Sequence, residues 1–203
     1  GALTLTGDRA EDDRLRNVTL AAQVGASAAA LAITACGNVW LLGLRYDQGR
    51  WSQMARVGIV DDAHPGACRT TEAEATARAM LGAEPREVLV RYATETEEGD
   101  EARDPALRVV HLREDGTLDA YTGEAPLGGT DATTGAVREG QWIIEEALDA
   151  PRDLYVQIQP GRPGVGGAAV PVVVRRTYRL RARALTLVEE TSAPWVPPRP
   201  TGR

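Results

Sequence analysis

VWLLGLRYDQGRWSQMARVGIV, residues 39–60, is the stretch whose reading decides the fold. Its first half sets Trp40, Leu42, Leu44 and Tyr46 at every second position, the period of a strand with a buried face. Asp47-Gln48-Gly49-Arg50 has the composition of a tight turn. The chain then returns from Trp51 to Val60, with Trp51, Ala55, Val57 and Ile59 assigned to a shared face. The pattern predicts a β-hairpin.

Upstream, Val18, Leu20, Ala22 and Val24 alternate with Asn17, Thr19, Ala21 and Gln23, and Leu31, Ile33 and Ala35 begin a second alternation after the break at Gly25–Ala28. The alanine content of residues 20–35 also suits a helix. Strands are preferred because Val18, Thr19, Val24, Ile33 and Thr34 are β-branched and Gly25 interrupts the run.

Downstream, Thr71-Glu72-Ala73-Glu74 has capping-box spacing. Ala73, Ala77, Met80 and Leu81 share a helical face, and Gly82 and Pro85 supply a stop. This predicts one short helix over about 71–81. Strands follow at 88–94 and 107–114, with an acidic loop (Glu95, Glu97, Glu98, Asp100, Glu101, Asp104) between them. Asp115-Gly116 turns the chain into 117–121. A Gly/Thr-rich loop covers 123–140, and further strands are expected at 141–147, 154–159 and, as one long run, 170–189. The expectation is a mainly β chain, an antiparallel β-sandwich or related two-sheet fold with one short helix and extended terminal arms. Residues 1–16 read as an N-terminal arm, 17–190 as a single β-rich domain and 191–203 as a proline-rich C-terminal tail.

A chain of 203 residues suits one buried core. Its net charge of -6 disfavours non-specific binding to nucleic acid or to an anionic membrane. Every basic residue is Arg, and Lys and Phe are absent; both have AT-rich codons, so this reads as the mark of a high-GC genome. The longest apolar run, Thr19 to Cys36, is broken by Gln23, Gly25 and Ser27, so no membrane-spanning helix or secretory signal is expected. Cys36 and Cys68 suit either one disulfide or two thiols. A virion or the cell exterior is favoured over the cytoplasm.

Catalytic chemistry finds little purchase. Ser27, Ser52 and Ser192 are the only serines and His64 and His111 the only histidines, and Gly25-Ala26-Ser27 lacks the strand-turn-helix setting of a nucleophile elbow. Cys36, His64, Cys68 and His111 lack the paired spacing of a zinc site, and the Asp61-Asp62-His64 cluster reads as solvated turn carboxylates. The acidic loops lack calcium-loop spacing. Gly161–Gly167 has neither the Lys-Ser/Thr nor the following helix of a phosphate loop. No catalytic residue, metal ligand or cofactor is assigned.

The informative constellation is at the C-terminal strand. Arg175, Thr177, Arg179, Arg181 and Arg183 alternate with Tyr178, Leu180, Ala182 and Ala184, which puts four arginines in one row. Either acidic residues on neighbouring strands neutralise them, or an anionic partner does. Arg162 in the Gly161–Gly167 arm, and Trp195 and Arg199 in the proline tail, extend the candidate partner-binding set. Arms and strips of opposite charge point to a non-enzymatic assembly subunit that joins copies of itself or neighbouring subunits: a virion component such as a capsid-decoration or tail protein, or a surface filament protein. The alternative is a secreted or surface β-sandwich binding module, for instance for carbohydrate, with Trp40, Trp51, Trp142 and the tyrosines as an aromatic platform. A hydrolase or metal-dependent enzyme comes third.

Overall fold

Strands β4 (Val39–Asp47) and β5 (Arg50–Val60) form the expected hairpin, closed by Gln48 and Gly49 at φ of 47° and 83°. Positive φ at both central residues matches the right-handed twist of the flanking strands. The computed structural model describes residues 3–4, 15–35, 37–60, 69–96, 103–130, 137–144, 151–159 and 172–194. Within them the chain also forms β1 (Leu3–Thr4), β2 (Leu15–Val24), β3 (Ser27–Thr34), β6 (Arg69–Arg78), β7 (Glu87–Thr96) and β8 (Arg103–Leu112). After these come β9 (Leu118–Ala120), β10 (Ala125–Pro126), β11 (Gly128–Thr130), β12 (Val137–Ile144), β13 (Leu154–Ile158), β14 (Val172–Arg181) and β15 (Ala184–Pro194).

These strands make three sheets. The first has the order β1-β5-β4-β3-β2, antiparallel apart from the short β1–β5 pairing. The middle sheet runs β10-β8-β7-β6, with β9 also on β8, and the third runs β11-β12-β13-β14-β15. The chain is therefore mainly β and sandwich-like, but with three sheets where two were expected. The reason is legible in β7 and β8. Val88, Val90, Tyr92, Ala106, Val110 and Leu112 join Leu31, Val39 and Leu41 in one core, while Leu89, Leu107 and Val109 join Leu154, Val156, Tyr178 and Leu180 in another. Runs apolar at successive positions, such as Val88-Leu89-Val90, fit a sheet covered on both faces.

Residues 71–81 are not helical. Ala73, Ala75 and Ala77 of β6 pack on the first core, and the ladder to β7 runs from Arg69↔Thr96 to Arg78↔Glu87. Ala73 and Ala77 satisfy either period, and Ala75 satisfies only the strand. A short helix is marginal without a packed face, whereas β7 offers a full ladder. The Thr71 hydroxyl caps nothing and is buried without a hydrogen-bond partner among the described residues.

Residues 20–35 are strands, joined by a turn with Gly25 at φ 60°. Two face assignments change because of bulges. The register slip between Leu20 and Ala22 sends Ala22 inward opposite Ala29, while Val18 and Leu20 lie opposite Ala32 and Ala30 on the outer face. In the same way Met54 is skipped between Gln53 and Ala55, so Trp51 shares the face of Tyr46 rather than that of Ala55, Val57 and Ile59. The expected loop at 123–140 holds β10, β11 and the start of β12.

The 170–189 run is two strands, not one. Ala182 and Arg183, at φ 46° and 65°, turn β14 back into β15. The tip is pinned to the middle sheet: Thr122 N donates to Arg183 O and Leu185 N to Thr122 O, at 2.9 Å each.

Candidate interaction surface

Strand registers define the outer face of the third sheet. Ile143, Tyr155, Thr177 and Glu189 lie in one row across β12–β15, and Gln141, Gln157, Arg175 and Thr191 in the next. Alternate positions turn inward: Trp142, Val156 and Tyr178 pack on the second core. Arg175, Arg179 and Arg181 share the outer face, and Arg183 leaves the row because it is a turn residue. Gly161, Arg162, Trp195 and Arg199 lie outside the described residues, as do Cys36, His64 and Cys68.

The arginines fall into two kinds. Arg179 grips the buried Asp153 carboxylate with two donors, Nε to Oδ1 at 2.6 Å and a terminal nitrogen to Oδ2. Arg176, on the inner side, donates through Nε to Glu190 Oε2 at 2.6 Å. For these two, neighbouring carboxylates do the neutralising. Arg175 and Arg181 are exposed and make no ion pair among the described residues. Six strand positions apart, they stand about 20 Å from each other. In the row of Thr177, two positions from Arg175 and four from Arg181 along β14, are two large side chains opposite each other, Ile143 at 65% exposure and Tyr155 at 37%. Tyr and Arg are among the side chains enriched where proteins meet.

No family model, curated protein or solved structure matches this chain. The reading of the surface rests on its geometry alone.

Other candidates resolve differently. Trp40 and Trp51 belong to the outer face of the first sheet, where Trp40 is buried under the Arg56 guanidinium at 4.2 Å. Trp142 faces inward on the third sheet, so the three tryptophans share no platform. Ser27 is buried and donates to Glu114 O at 2.6 Å, a structural bond. His111 Nδ1 lies 2.8 Å from Glu87 Oε1. Glu87 Oε2 accepts from Met80 N at 2.8 Å and Leu81 N at 3.2 Å, so this carboxylate ties the segment after β6 to the middle sheet. Nothing in the sequence singles out Asp153, Tyr155 or Ile143. An acid beside Arg152 at a strand entrance carries no signal of burial, and Ile143 and Tyr155 become neighbours only through pairing.

Glu87 makes a pH prediction. Burial alone would push its carboxyl up, but the His111 contact and the two backbone amides outweigh it and hold the carboxyl below its ordinary value. Its contribution is therefore complete above the unfolded value of about 4.3 and is lost as pH falls through the lower folded value. Glu87→Ala is expected to cost about 2 kcal/mol at neutral pH. In urea titrations repeated from neutral pH into the acid range, the variant should lose less stability than the parent. Parallel curves would show that Glu87 is not the group responsible.

Proposed function

We propose that this chain is a non-enzymatic structural subunit that docks an acidic surface of a neighbouring subunit on the outer face of its third sheet. The observation that carries the reading is the pairing state of the arginines: Arg179 and Arg176 are occupied by this chain's own carboxylates, while Arg175 and Arg181 stand exposed beside Ile143 and Tyr155. A charge exposed singly is ordinary, but two charges framing an exposed aliphatic and aromatic pair on a rigid sheet combine steering with burial. The chain's acidic excess supplies the complementary sign in copies of itself. A virion shell or tail, or a surface filament, is the setting such a subunit suits.

The test is light scattering after size-exclusion chromatography at several salt concentrations. The parent protein should form oligomers that weaken as salt rises. The double substitution Arg175→Glu/Arg181→Glu should weaken association about tenfold or more. A parent that stays monomeric at every concentration and salt level would remove the reading.

A further inference from the structure

Among the described residues β15, β6 and β2 each end a sheet, and these three edges are not guarded alike. β15 carries Glu189 and Glu190, a register slip that skips Val188, and Pro194 at its end. β6 carries Glu72, Glu74 and Arg78. Charges, bulges and proline are what keep an exposed edge from pairing with another strand. β2, the last strand of the first sheet, also carries register slips but differs in the stretch between them. Between its two irregularities lie Asn17-Val18-Thr19-Leu20, four consecutive exposed residues with neither charge nor proline. Val18 is 40% exposed and Leu20 59%. Their cross-strand partners Ala32 and Ala30 belong to a buried apolar cluster on the same face, with Trp40, Leu42 and Leu44.

From this contrast we propose that β2 pairs antiparallel with β2 of a second copy of this chain, joining the two first sheets edge to edge. A two-fold axis perpendicular to the sheet keeps both outer faces on one side, so residues placed opposite each other must share a face. With Thr19 opposite Thr19, Val18 of each copy meets Leu20 of the other, and the apolar face continues across the junction. The threonine pair is itself a favourable cross-strand match, and no like charges meet between positions 18 and 20. The segment is thus complementary to itself. It adds a second contact to the assembly reading, on the opposite outer layer from Arg175 and Arg181.

The experiment uses the full chain. Thr19→Cys should give, under mild oxidation, a dimer whose disulfide maps by mass spectrometry to position 19 of both chains, because directly opposed strand residues lie within disulfide reach. Light scattering should show a dimer that persists in high salt and survives Arg175→Glu/Arg181→Glu. Val18→Lys/Leu20→Lys, at exposed positions, should leave circular dichroism unchanged and abolish that dimer. A salt-insensitive dimer retained in the double-lysine variant, a monomeric parent in high salt, or the absence of the position-19 cross-link overturns the proposal. The arginine reading fails separately, through a salt-sensitive association that Arg175→Glu/Arg181→Glu leaves intact.

Discussion

Gly43→Val is expected to destabilise the fold by about 3 kcal/mol or more, because there is no volume at that site for any side chain. A Cβ at Gly43 would sit 2.3 Å from Gly116 O and 2.9 Å from Leu118 Cγ. The first of these neighbours is backbone, in the turn between β8 and β9, and cannot rotate away. Gly116 answers from the other side: it holds φ 83°, and a Cβ there would lie 2.6 Å from Leu44 O. Two backbones therefore touch where the first and middle sheets meet, and the valine must prise them apart. In urea unfolding the midpoint should fall with little change in slope. Gly25→Ala is the control. It holds a positive φ, 60°, which Gly43 does not, and its Cβ would meet nothing within 4 Å, so only backbone strain of about 1–2 kcal/mol applies. A loss at Gly43 no larger than that at Gly25 would show that the two backbones part easily and that the close approach is not the dominant cost.

Arg179→Ala is expected to cost about 3 kcal/mol, since it strips a bidentate guanidinium from a buried carboxylate. Asp153 has a side-chain exposure of 6% and receives Arg179 through two nitrogens. The double substitution Asp153→Ala/Arg179→Ala should be less damaging than the sum of the single changes, because it removes the buried charge along with its partner. Arg175→Ala, at an exposed position on the same strand, should stay within about 0.5 kcal/mol of the parent. The three measurements separate an arginine that holds the fold from one that does not. Additive losses at Asp153 and Arg179 would show that the pair does not act as a unit.

Much of the fold is legible in the sequence. The hairpin of 39–60 announces itself through alternation and a glycine turn, and residues 17–34 do so through β-branched side chains around Gly25. The segment 71–81 misleads because Ala73 and Ala77 fit both periods and the capping spacing at Thr71–Glu74 is genuine. Only the neighbouring β7 ladder makes the strand the better choice. The arginine strip is visible as a pattern, yet its division into occupied and open members is not. That division depends on Asp153, which precedes β13 and approaches Arg179 across 26 positions of chain.

Local pattern, then, determined where this chain is extended, where it turns, and which side chains alternate on each strand. Those properties follow from steric preferences within a few residues. Tertiary structure decided the number of sheets, the faces that bulges at Ala21 and Met54 exchange, the reversal at Ala182–Arg183, and the neutralisation of Arg179. Each of these depends on contacts between distant segments, whose energies outweigh local preference and leave no periodic trace in the sequence.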